Sequence, residues 1–139
     1  MVDLEYRIGG LKINLKELFF SGYDPYEASH LFVTRVLDSH VEIYVAKAET
    51  HFQVSNIFNF NRMEDNIVGG GSFYLNEDNK IVLGDYSGAY NAIPKEVAQI
   101  FAELILPEIE KLGVKVKGII VNPNERRIND FWKGKIIEI

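Results

Sequence analysis

The chain has 139 residues, with Lys+Arg 15 against Asp+Glu 20, a formal net charge of -5, and no cysteine. That length suits one domain spanning 1–139, and 47% hydrophobic with 25% charged residues excludes global disorder. The missing thiol excludes cysteine nucleophiles, Cys-ligated zinc and iron–sulfur clusters. The acidic balance argues against broad phosphate-backbone contact, so nucleic acid is not an expected partner. No stretch approaches the roughly 18 apolar residues of a membrane span. The opening Met1-Val2-Asp3-Leu4-Glu5 is acidic where a secretory signal is basic, so the expectation is a cytoplasmic protein with no membrane partner. Two glutamines only (Gln53 and Gln99) and many Glu, Lys and β-branched residues lean toward thermophily, while abundant Asn leans away.

In chain order, Leu4, Tyr6 and Ile8 alternate with polar residues, as do Leu11, Ile13 and Leu15. Two period-two runs separated by Gly9-Gly10 predict a hairpin of 4–8 with 11–15. Asp24-Pro25-Tyr26-Glu27 has the form of a helix start. Leu37, Val41, Tyr44/Val45, Ala48 and Phe52 follow helical spacing, which predicts a helix from about 25 into the low fifties. A break falls near 35–38, and residues 31–36 read alternatively as a short strand. Residues 57–91 return to strand chemistry: Phe58 and Phe60, Ile67-Val68, and Phe73-Tyr74-Leu75, then a polar turn at 76–79 and Ile81-Val82-Leu83. The triple glycine 69–71 sits among strand residues, which points to a bulge or a close backbone approach, with an anion-binding nest as its rival. After Pro94 an apolar stripe of Val97, Phe101, Ile105, Ile109 and Leu112 predicts a helix over 95–112, kinked at Pro107 and stopped by Gly113. Val114 and Val116 lead into a strand at 119–121, and the tail around Trp132 and 136–139 suggests a last short one. The order ββ-α-β(β)β-α-β predicts an α+β fold, a mixed or antiparallel sheet with two main helices.

Little in the motifs carries chemistry alone. His30, His40 and His51 are spaced ten and eleven residues apart, and on one helix neighbours stand roughly 15 Å apart, so no shared metal site and no metal cofactor are expected. Gly84-Asp85-Tyr86-Ser87-Gly88 lacks nucleophile-elbow spacing, and Gly69-Gly70-Gly71-Ser72 lacks the Lys-Ser/Thr of a phosphate loop. Lys111, Lys115, Lys117, Arg126 and Arg127 give the C-terminal part a basic bias that reads as a solvated edge.

The stretch Gly69-Gly70-Gly71…Lys80-Ile81…Asp85-Tyr86-Ser87-Gly88-Ala89-Tyr90 resembles the Janus/Ocnus family of protein phosphohistidine phosphatases. Ser39-His40-Val41-Glu42-Ile43-Tyr44 is similar to that family's helix carrying its histidine, and the resemblance covers about residues 36–122. It implies a phosphohistidine phosphatase-like fold, His40 as general base, and an anion cradle of Gly71, Ser72, Ser87, Gly88 and Ala89. Two positions depart from the family pattern. Ser72 stands where the family has a phosphate-contacting arginine, and Glu5 fits the place of its basic lysine. Arg62 and Arg126 are the residues that would have to replace that arginine. Fewer cations suit a dianion less well, so the resemblance implies a weak anion- or phosphate-binding module without efficient catalysis. The alternatives are an active phosphohistidine phosphatase using His40, or an interaction protein that assembles through Phe131-Trp132 and the 136–139 strand. Expected partners are accordingly a phosphorylated protein or small anion, or a second copy in a homo-oligomer; no cofactor is implied.

Overall fold

The computed structural model describes residues 4–22, 27–38, 40–60, 66–84, 90–122 and 128–132. The chain runs through β1 (Glu5–Lys12), a short α1 (Leu15–Leu18), β2 (His30–Leu37), β3 (His40–Lys47) and α2 (His51–Ile57). It continues with β4 (Ile67–Leu75), β5 (Lys80–Gly84), α3 (Lys95–Glu110), β6 (Gly118–Asn122) and a 3-10 turn at Asp130–Trp132. Among the described residues, six strands form one sheet in the order β1-β3-β2-β4-β5-β6. The outer pairs β1–β3 and β5–β6 are parallel, and the inner pairs are antiparallel. This is the α+β class with a mixed sheet that the sequence predicts. None of the described helices is long and apolar enough to cross a membrane.

The predicted N-terminal hairpin is replaced by one continuous strand. Gly9 and Gly10 lie inside β1, where the ladder with β3 shifts register between Ile8 and Gly10. A Cβ on Gly9 would collide with the Tyr44 ring, and one on Gly10 with the Phe58 ring. The glycines therefore make room for two aromatic rings instead of turning the chain. Residues 13 and 14 leave the strand, and Leu15 enters α1.

The long helix predicted from about 25 into the low fifties is also replaced. Its middle is the hairpin β2–β3, with Leu37 opposite His40 and Asp38 in the left-handed region at φ 52. Asp tolerates that conformation better than most residues, and it marks the turn. β2 is central and buried on both faces over His30–Thr34, so its apolar run Leu31-Phe32-Val33 shows no alternation. A run without alternation reads equally as helix or strand, and the β-branched residues of β2 and β3 decide for the sheet. Phe58 and Phe60 follow α2 in a turn instead of forming a strand.

Other expectations hold closely. β4 and β5 flank the polar turn at 76–79, where the Asn76 side chain accepts from the Asp78 and Lys80 amides. α3 runs through Pro107, and Gly113 follows at φ 98 with its N–H on the Glu110 carbonyl. Residues 114–117 precede β6 without joining it. Trp132 lies in the 3-10 turn, not in a strand, and residues 133–139 fall outside the described ones.

α3 buries Val97, Phe101, Ile105 and Ile109 against one face of the sheet, over Val41, Ile43, Val45, Phe73, Ile81 and Leu83. Tyr6 of β1 meets Phe101 edge-on at 5.6 Å between ring centroids. A second, smaller cluster of Leu31, Val33, Tyr44, Val54 and Phe60 places α2 on the opposite face. Because side chains alternate along strands, Ser72, Glu42 and His40 belong to this α2 face.

Candidate functional site

β5, α3 and β6 form a parallel crossover, and parallel strands of this kind offer ligand sites beyond their carboxyl ends. Those ends are Gly84 and Asn122, side by side in register. Residues 85–89 and 123–127 continue from them in the sequence. Ser87, Gly88, Ala89 and Arg126 belong to these two segments and, like Arg62, lie outside the described residues.

Beside Gly84 stands Ser72 of β4, its cross-strand partner. Ser72 is fully buried, and its Oγ has no hydrogen-bond partner among the described residues. A buried unpaired hydroxyl costs about 1–3 kcal/mol, so native proteins seldom keep one without a use. The main chain just before Ser72 is occupied on all sides. Trp132 Nε1 donates to the Val68 carbonyl at 2.9 Å, Thr34 Oγ1 to Gly69 O at 3.1 Å, and the Gly70 N–H to Asn91 O at 3.0 Å. His51 Nε2 is bonded to Gly71 O at 2.8 Å.

Close packing explains the triple glycine. A Cβ on Gly71 would overlap the Gly84 carbonyl oxygen and stand 2.7 Å from the Phe32 ring, and one on Gly69 would meet the Ile93 side chain. The segment makes close approaches and adjoins a bulge at Val68, where the ladder with β2 shifts register between Thr34 and Arg35. Gly70 gives its N–H to Asn91, so the glycines are not an open nest of donors. Gly71 is required there by packing.

His51 is the residue that the sequence argument weighed only as a metal ligand. It is buried at the first position of α2, and burial pushes its pKa down while the Gly71 hydrogen bond opposes that shift. The bond to a carbonyl fixes the proton on Nε2. Ser55, one turn further along α2, shares a 3.1 Å hydrogen bond with the Tyr90 hydroxyl, and the Tyr90 ring packs edge-on to His51 and Phe52. A signal for this placement is present in the sequence. Thr50-x-x-Gln53 is a capping pattern; Thr50 Oγ1 accepts the Gln53 N–H at 3.2 Å, and it starts a helix at His51.

His40 is elsewhere. It lies on β3 opposite Leu37, whereas Ser72 lies opposite Leu31. Six residues of strand separate those two registers, about 20 Å. The structure thus places His40 on a strand, not a helix, and does not bring it together with Ser72. Its neighbours are charged: Glu5 in register on β1, and Glu42 Oε2 at 3.6 Å from His40 Nε2. Glu42 also accepts from the Tyr44 hydroxyl, and Arg35 Nε donates to that hydroxyl at 3.2 Å. The Arg35 guanidinium covers the Phe60 ring at 3.9 Å. Burial first, and then the Glu42 hydrogen bond, push the Tyr44 pKa up.

The three histidines do not converge. His30 accepts the Asn14 N–H at 3.1 Å, His51 holds Gly71, and His40 faces Glu42. Among the described residues no three His, Asp or Glu side chains are grouped to hold a metal. Trp132, proposed from sequence as part of an exposed assembly surface, is fully buried. Compared with protein-family models, curated proteins and solved structures, the chain matches none of them.

Proposed function

We propose that the chain is a weak anion-binding module that takes a phosphate group, free or carried on a protein, beyond the carboxyl ends of β5 and β6. The observation that carries this reading is the buried Ser72 hydroxyl, which has no hydrogen-bond partner among the described residues and lies opposite Gly84. It supplies a donor beside Gly84, the last residue of β5, and the Ser87, Gly88 and Ala89 amides that follow in the sequence are the remaining cradle in this reading. α3, sixteen residues long and starting at Lys95, adds the partial positive charge of its N-terminus at the same end of the crossover. His40 takes no part, because it lies about 20 Å along the strands from Ser72. Turnover with His40 as base is therefore not part of the proposal.

The test is an NMR titration of the full chain with inorganic phosphate. Amides of 70–73 and 84–90 shift with a millimolar midpoint, and Ser72→Ala weakens the response several-fold. Amides that stay still to high phosphate overturn the reading. Phosphohistidine hydrolysis that collapses in His40→Ala would restore the catalytic alternative.

A further inference from the structure

β1 is an edge strand. It pairs with β3 on one side, and no described strand lies on its other side. An eight-residue edge is a ready template for another strand, and proteins usually blunt such edges with proline, a covering loop or a bulge. The bulge here falls between Ile8 and Gly10, so the stretch up to Ile8 keeps regular geometry.

That regular half is self-complementary. On the α3 face, Leu4, Tyr6 and Ile8 are only partly buried against the core. On the other face, Glu5 and Arg7 are 62% and 50% exposed and bonded to each other through two contacts of 2.8 Å. The Arg7 hydrogen bonds hold the Glu5 carboxyl below the usual carboxylate range. In an antiparallel pairing about a twofold axis at Tyr6, Glu5 stands opposite Arg7 of a second copy, and Leu4 opposite its Ile8. Each row then sets opposite charge against opposite charge or apolar against apolar, twice over. Parallel pairing in register would set Glu5 against Glu5 and Arg7 against Arg7. An axis nearer the strand centre would run the new ladder across the bulge.

We propose that β1 is the dimerisation edge of this protein, joining two copies of the chain into a continuous twelve-stranded sheet through antiparallel β1–β1 pairing centred on Tyr6. The ladder is short, so the dimer forms in the micromolar to millimolar range and exchanges readily. This proposal stands independently of the phosphate site.

Sedimentation velocity of the full chain over that concentration range tests it, with three variants. Glu5→Arg alone and Arg7→Glu alone each turn two attractive cross-strand rows into repulsive ones and raise the dissociation constant by at least about tenfold. Mixing the two single variants restores dimers, because the Arg introduced at position 5 then faces the Glu introduced at position 7. The double variant, which keeps the pair within the strand, dimerises like the unmodified chain and shows that the fold tolerates the reversals. Amide exchange over residues 5–8 slows with concentration wherever dimers form. A chain that stays monomeric throughout, a dimer indifferent to both single reversals, or a mixture that does not recover overturns the proposal.

Discussion

His30 ties the stability of this fold to pH. Its ring is fully buried in β2, and Nε2 accepts the Asn14 N–H at 3.1 Å where β1 hands over to α1. The neutral ring carries its proton on Nδ1, which is buried without a partner among the described residues. A second proton would have to sit on Nε2, facing an N–H donor. Burial pushes the pKa from 6.5 to about 4, with Glu17 opposing the shift and Lys47 reinforcing it. Between those values the unfolded chain binds the proton and the folded chain does not. The His30 contribution is therefore complete above about pH 6.5 and is lost progressively as pH falls toward 4. The gap corresponds to about 3 kcal/mol, most of which is lost between about pH 7.5 and about pH 4.5. His30→Gln keeps an acceptor within reach of Asn14 and does not titrate. Urea unfolding at both pH values should show the unmodified chain losing about 2–3 kcal/mol more than His30→Gln. Parallel pH profiles for the two proteins would refute the argument, since every other titrating group is common to both.

Gly71→Ala should destabilise by about 3 kcal/mol or more, because the new methyl overlaps a backbone oxygen of β5 that only a parting of the strands can move. Gly113→Ala, with φ 98 and nothing within 4 Å of the new Cβ, should cost only about 1 kcal/mol of backbone strain; urea midpoints compare the two. Trp132→Phe removes the donor to the Val68 carbonyl and leaves a small cavity, an expected loss of about 2–3 kcal/mol measured by far-UV circular dichroism, since the single tryptophan is gone.

What the sequence made legible was what stayed local. The β4–β5 hairpin was visible because its turn chemistry at Asn76–Asn79 and its flanking apolar runs are adjacent in the chain. α3 was visible because one stripe faces one sheet and the other side faces water. The misread regions are those whose pattern is set by distant partners. Gly9-Gly10 looks like a turn until Tyr44 and Phe58 occupy the space above it. β2 looks helical because both of its faces are buried, one under α3 and one under α2, so nothing along it alternates. His40 falls in the same stretch, where the helical spacing of Leu37, Val41, Tyr44/Val45 and Ala48 coincides with strand β3, whose His40–Ile43 part alternates in burial. The triple glycine was read correctly as a bulge or close approach. The groups that crowd out a side chain there, Phe32, Gly84 and Ile93, come from three separate parts of the chain.

Ser72 offers a sharper test than either binding or stability gives alone. If its hydroxyl served the fold, Ser72→Ala would remove a hydrogen bond and cost stability. The Oγ has no such bond among the described residues, so the substitution removes a buried polar group that lost its water on folding. Ser72→Ala should therefore stabilise the phosphate-free protein by about 1 kcal/mol. Phosphate acts in the other direction. A ligand that binds only the folded state stabilises by RT ln(1 + [L]/Kd), about 1.4 kcal/mol at ten times the dissociation constant. Adding phosphate should then raise the unfolding free energy of the unmodified chain more than that of Ser72→Ala, so that the gap between the two stability curves narrows as phosphate increases. General salt stabilisation by exclusion from the surface raises both proteins equally, so only the difference between the two curves reports binding at the site. If Ser72→Ala proves destabilising without ligand, the hydroxyl holds the fold, and it cannot carry the phosphate-binding reading. If the alanine variant is stabilised and phosphate still raises both proteins alike, Ser72 is a tolerated defect, and the site beyond β5 and β6 loses its best support.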